Sequence, residues 1–298
     1  MNQTPLAPPP SGVVRLDRAA IQPWLAHLDA WLLPPGSFYS AQHTWPQLYR
    51  SDGAGRFYGL FDGEQLVSHC AVRHVTVHGD GGPFRAALLG SVATAPSHRG
   101  QGCASQVLAA ALGECECEVD HVLLWAERPD LYARHGFAAG GEETCLTLVR
   151  LPRPDLEGVR LAEHRDHAAM HALHERKPWR VERSPRVMSG LLTTPGMTTV
   201  VRERDGVVVA YACCGKGADL QGHWHEVGGT DAEVATLLPA AMHVTGQVEA
   251  MLLLPMYRPG LVQMLGRSVV DAGAVPGPMV RSFRGAAPRC WIDGLDSV

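Results

Sequence analysis

Between Leu88 and Leu112 the chain reads LLGSVATAPSHRGQGCASQVLAAAL, an apolar strand that passes through a short polar loop straight into a helix. No other stretch constrains the fold as tightly. The strand, Phe84 to Ala93, is apolar enough to lie inside a sheet, and the helix from about Cys103 to Leu112 must return across that sheet. Ala104, Val107, Leu108 and Ala111 recur at spacings of three and four, which is one helical face. Gly100 and Gly102 stand where the helix begins. Lacking Cβ atoms, they let a bulky anion approach the backbone. The first-turn amides have no intrahelical acceptor, and the helix dipole favours negative charge there. Arg99 adds a forked cation. The loop therefore reads as a pyrophosphate cradle or as a plain tight turn. It is not a Walker loop, because G-x-x-x-x-G-K-[ST] is absent, and the dinucleotide fingerprint G-x-G-x-x-G fails at Ser105.

The flanking segments predict a mixed α/β unit, an α+β arrangement around a mixed sheet. Val13 to Leu16 reads as a strand, and Asp17 caps a helix expected to run to about Leu32. Ser37 to Arg50 reads as a further helix. Arg56 to Phe61 and Gln65 to Val77 form a hairpin closed by Asp62-Gly63. After the central helix come a strand at His121 to Trp125, a short helix at Pro129 to His135, and strands at Phe137 to Ala139 and Thr144 to Leu151. The second half repeats this order. Val159 to Leu161, the helix His167 to His174, the hairpin Met197 to Arg202 and Val207 to Cys213 with turn Asp205-Gly206, the helix Asp231 to Val244 and the strand Val248 to Leu254 each have an earlier counterpart. Leu261 to Asp271 reads as the last helix. A diverged internal repeat with a period of about 145 residues follows. The expected division is a disordered leader over residues 1–11, with Pro8 to Pro10 extended, one domain over 12–155, a second over 156–285, and a tail over 286–298. Trp291 and Ile292 should pack that tail on the body.

Charged residues are 19% of the chain, which fits a folded protein. Twenty-six Lys and Arg against 30 Asp and Glu leave a formal charge of -4, without the footprint of a nucleic-acid or anionic-membrane partner. No signal peptide and no apolar run of about 18 residues is seen, so a cytoplasmic protein is expected. The eight cysteines are scattered and none forms C-x-x-C, so free thiols are expected rather than a disulfide framework. His223, His225 and Glu226 lie close in sequence, but spacing supplies no further ligand, and no metal site is expected.

Arg99-x-x-Gly102-x-Ala104 resembles the Q/R-x-x-G-x-G/A signature of the GNAT superfamily of N-acetyltransferases, and Leu131-Tyr132-Ala133-Arg134-His135-Gly136-Phe137 resembles its Y-x-x-x-G-F block. The resemblance implies two tandem GNAT-like acyl-CoA N-acyltransferase domains. It implies transfer of an acetyl group from acetyl-CoA to an amine, by direct attack in a ternary complex. The pyrophosphate would sit on Arg99, Gly100, Gln101, Gly102, Cys103 and Ala104, and the backbone of Val92 and Thr94 would bond the pantetheine arm. Tyr132 would donate a proton to the departing sulfur. Glu127, just past the strand His121 to Trp125, is a candidate base or else a solvated helix-capping charge. The second copy reads His225 to Asp231 at the cradle position, without an arginine and with Glu226 and Asp231, so it is expected to have lost the coenzyme. The plan also resembles the first two domains of the enhanced-intracellular-survival acetyltransferases, without their third, sterol-carrier-like domain. Members of that group can use a C-terminal carboxylate in the active site, which here would be Val298. The acceptor stays open among small amines, aminoglycosides, amino acids and peptide N-termini, and so does pairing into a homodimer. The alternatives are a non-catalytic sensor of acyl-CoA or a small ligand, and a structural pairing module with a vestigial cradle.

Overall fold

The computed structural model describes residues 12–50 and 53–298, so the leader expected over residues 1–11 lies outside the described residues. In the first half, β1 (Val13–Leu16) leads into α1 (Arg18–Ile21), with Asp17 accepting the Ala20 amide at 2.8 Å. The helix expected to reach Leu32 is interrupted by a tight turn at Gln22–Trp24 that contains Pro23, and α2 (Leu25–Leu32) resumes after it. The helix expected over 37–50 is two short ones, α3 (Ala41–Thr44) and α4 (Pro46–Tyr49). Trp45, at φ −124° and ψ 65°, is driven out of the helical region by the ring of Pro46. Next come the hairpin β2 (Gly55–Asp62) and β3 (Gln65–Gly79), then β4 (Gly82–Thr94) and α5 (Cys103–Glu118), which runs beyond the expected Leu112. β5 (His121–Leu124), α6 (Pro129–Ala133), β6 (Ala138–Ala139) and β7 (Glu142–Val149) close the half.

The second half runs β8 (Val159–Leu161), α7 (His167–His174), β9 (Arg180–Val181), α8 (Pro185–Leu192), β10 (Thr198–Arg204), β11 (Val207–Cys214), β12 (His223–Gly229), α9 (Asp231–Val244), β13 (Glu249–Leu254), α10 (Pro259–Leu265), β14 (Val269–Pro276) and β15 (Met279–Ser282). The helix expected over 261–271 stops at Leu265, because Gly266 takes φ +52°, and the chain from Val269 is strand.

These strands make two similar mixed sheets with flanking helices. The first is ordered β1-β2-β3-β4-β5-β15-β6, with β9 added beside the end of β3, and the second β8-β10-β11-β12-β13-β7-β14. The two orders correspond place for place, except that each sheet takes its penultimate strand from the other half. β7 pairs β13 and β14 in the second sheet, and β15 pairs β5 and β6 in the first. The sheets therefore do not divide the chain at residue 155. Each sheet buries one face under its long helix. Val107, Leu108 and Ala111 of α5 pack on β2 to β5, and Val234, Leu237 and Ala241 of α9 pack around Trp224. The tail is buried as expected at Trp291 and Ile292, and Leu295 is buried with them.

Candidate active site

β4 and β5 run parallel and pair only where Ala86 to Leu88 face His121 to Leu123; beyond Leu88 they part. A bulge in β4 marks the parting. Ala71 pairs Gly90 and His69 pairs Ala93, so Ser91 and Val92 stand opposite the single residue Cys70. Ser91 adopts φ +51°, a left-handed conformation uncommon outside glycine. Buried His69, with its pKa lowered to about 4 by desolvation, is neutral at neutral pH and bonds the Ser91 carbonyl through Nδ1 at 3.0 Å.

The gap opens into a cavity of about 890 Å³. Of the ten residues expected at the site, Val92, Thr94, Ala104, Glu127 and Tyr132 line it. The loop residues Arg99, Gly100, Gln101 and Gly102 stand exposed or nearly so before α5, and the Cys103 side chain is buried in the core, leaving only its backbone for a ligand. Arg99 Nε donates to the Thr94 carbonyl at 3.2 Å, and Gln101 donates to the Ser97 carbonyl at 3.0 Å. Gly100 and Gly102 take φ +77° and +80°, and a Cβ at either would meet nothing within 4 Å. Among the described residues no side chain caps α5. Open space, an uncapped helix start and an arginine fit a coenzyme pyrophosphate.

Tyr132 is partly buried and packs edge-on to Phe137 with ring centroids 6.1 Å apart. Burial, with Cys70 and Glu127 adding to it, pushes its hydroxyl up to about 12, so it carries its proton at physiological pH. Glu127 is exposed. A second carboxylate, not expected from the sequence, faces the same cavity. Glu143, on the exchanged strand β7, is 7% exposed and accepts from the indole Nε1 of Trp125 at 3.1 Å. Burial raises its carboxyl to about 7, and the Trp125 donation moderates the rise. Its sequence context, Glu142-Glu143, looks like surface; only the strand's place between β13 and β14 turns Glu143 inward.

The tail forms the opposite wall. Val298 lies against Gly90 so closely that a Cβ on Gly90 would collide with its backbone. Buried charges hold the tail in place. Arg73 Nη1 donates to Asp296 at 2.9 Å, and Arg183 donates to Asp296 at 2.8 Å and to both Glu226 oxygens at 2.9 Å. Burial alone would raise the Asp296 pKa, yet Arg183 and Arg73 hold it below the usual carboxylate range. His174, Glu226 and Asp293 bring potential ligand atoms within 4.8 Å of one another. Lys177 Nζ stands 3.3 Å from Glu226 and 2.9 Å from Asp293, so an ammonium already balances these carboxylates. His225 bonds the Gly215 carbonyl and His223 the Gln221 carbonyl, so the sequence cluster of His223, His225 and Glu226 is spread over three separate environments.

In the second half a single residue, Thr230, joins β12 to α9, where the first half has residues 95–102. Thr230 caps the Glu233 amide itself, and Asp231 and Glu233 occupy the first turn, paired with Arg258 and Arg202.

Residues 14–140 match the family model of the acetyltransferase (GNAT) domain. The fold is that of the GNAT superfamily. Solved GNAT-type structures resemble nearly the whole chain. A probable N-acyltransferase from Enterococcus faecalis V583 shares 16% identity at a TM-score of 0.69, covering 91% of this chain and 72% of its own. A GCN5-related N-acetyltransferase from Kribbella flavida shares 18% at 0.64, covering 91% and 70%. Eis1 from Mycobacterium abscessus shares 15% at 0.61, covering 91% and 73%. Identities this low speak for the shared fold. A search of curated proteins found no match. Among the described residues no helix is long and apolar enough to cross a membrane.

Proposed function

We propose that the protein is an N-acetyltransferase that moves an acetyl group from acetyl-CoA to an amine by direct attack, using the first-half site alone. One observation carries the reading: the parted ends of β4 and β5 open into a cavity lined by Val92, Thr94, Tyr132 and the buried Glu143. The first-turn amides of α5 and Arg99 hold the pyrophosphate, and the β4 backbone at Val92 and Thr94 aligns the pantetheine arm. A backbone amide near Thr94 offers a donor to the thioester oxygen as it gains charge. An alkylammonium with a pKa near 10 must lose a proton before it attacks. Glu143, titrating near neutrality, matches that task better than the exposed Glu127. Tyr132, protonated throughout the physiological range, supplies the proton that the departing thiolate takes. The one-residue loop and the self-capped start of α9 support the reading that the second copy has lost the coenzyme and serves to shape the acceptor side.

The test is calorimetric titration with acetyl-CoA, followed by free-thiol release against a panel of amines. Gly102→Asp should abolish binding, since its side chain would fill the open space at the cradle and add a repelling charge; because φ +80° strains any side chain there, the fold of the variant is checked first by circular dichroism. Unchanged affinity in a folded Gly102→Asp protein would refute the site. Binding without turnover of any amine would leave a sensor of acyl-CoA instead.

A further inference from the structure

Four of the seven tryptophans in the chain, Trp31, Trp45, Trp125 and Trp291, line this one cavity. They come from separate segments: the end of α2, the break between α3 and α4, the residue after β5, and the tail. The neutral polar side chains on the wall are Ser91, Thr94, Tyr132, His225 and Ser297. The charged side chains on it are Glu127, Arg128, Glu143 and Asp219. Arg128 is turned onto Asp130 at 3.1 Å, and Asp219 is balanced by Lys216 at 3.3 Å. His225, its pKa lowered to about 4 by burial, adds no positive charge at neutral pH. Two glutamates are left facing a chamber whose remaining wall is mainly tryptophan and aliphatic side chains. Such a wall attracts a cation, favours flat apolar surface and repels a carboxylate.

We propose that the acceptor is an arylalkylamine: a primary amine on a short apolar chain that ends in an aromatic ring and carries no carboxylate. This rests on the acetyltransferase reading above and narrows it. The ring lies among the tryptophans and the ammonium is drawn to Glu143. The amine nitrogen forms the amide bond as the carbon–sulfur bond of the thioester breaks. Of the three ammonium protons, one stays on the amide, one reaches solvent through Glu143, and one ends on the coenzyme thiol.

The experiment uses the full chain and four probes: phenethylamine, phenylalanine, spermidine and kanamycin. Thiol release from acetyl-CoA should give phenethylamine a kcat/KM about 100-fold above phenylalanine, which adds only the carboxylate. Spermidine and kanamycin, which lack the ring, should fall below phenethylamine. Trp31→Leu should lower kcat/KM for phenethylamine about tenfold while leaving coenzyme affinity unchanged. A preference for phenylalanine, spermidine or kanamycin overturns the proposal. Tryptophan fluorescence titrated with phenethylamine in the absence of coenzyme separates the two readings. Saturable quenching together with no coenzyme binding would sink the acetyltransferase reading and keep the amine chamber. Coenzyme binding with no quenching up to millimolar amine would overturn the chamber and leave the coenzyme site standing.

Discussion

Glu143 is a carboxylate held where its neutral form is favoured, and both its chemistry and its cost follow from that. A shift to about 7 from an ordinary glutamate is worth roughly 3–4 kcal/mol between the two protonation states. The folded protein binds the extra proton between about pH 4.3 and 7, so stability falls as pH rises across that window and stays lower above it. Glu143→Gln keeps the acceptor for Trp125 and removes the charge. The mutant should melt no lower than the parent at pH 8, yet lose about 10²–10⁴-fold in turnover, and the acid limb near pH 7 should vanish from its rate profile. A mutant as active as the parent would hand the role of base to another group. If Tyr132 protonates the departing sulfur as proposed, Tyr132→Phe should lower kcat and kcat/KM together while coenzyme affinity holds, because the missing hydroxyl would matter only as charge develops on sulfur. With the hydroxyl titrating near 12, no loss of rate should come from Tyr132 between pH 6 and 9. Neither glutamate nor tyrosine stands out in composition. Tyr132 was legible because Gly136 and Phe137 follow it at a recognisable spacing, whereas nothing local to Glu143 says which way it faces.

The elements that local chemistry dictates are the ones the sequence announces. Asp62-Gly63 and Asp205-Gly206 close hairpins, Asp17 caps α1, and the stripe along α5 buries against its sheet. What stays hidden depends on distant partners. Glu142–Val149 alternates in a way that suits either sheet, and register and neighbour are chosen by contacts far along the chain. Glu226 read as a charge that would repel phosphate; it is instead buried on Arg183, Lys177 and Tyr211. The tail depends on the same network. Arg183→Met would leave Glu226 and Asp296 buried with too little compensating charge, and should destabilise the protein by about 3–5 kcal/mol. Denaturant unfolding measures it, and a change under 1 kcal/mol would mean that Arg73 and Lys177 suffice.

Across the whole molecule, two sheets of one plan have unequal helix starts. The first leaves its glycine loop open and uncapped; the second fills the same place with its own threonine and carboxylates. Calorimetry should therefore return one coenzyme per chain, and a stoichiometry near two would show that the second cradle still works. The repeated order of elements and the motif-bearing loop were readable from residues 12–155 and 156–285, but the partition of strands between sheets was not, because pairing between β7 and β13 or β15 and β5 joins residues a hundred or more positions apart. That exchange also bears on how the protein is made. On the ribosome, β5 and β6 emerge long before β15, so the first sheet waits with an unfilled slot between two unpaired edges until β15 has been made. Such a nascent chain is a natural client for chaperones, and slowing translation after the first half would prolong the interval in which it can aggregate.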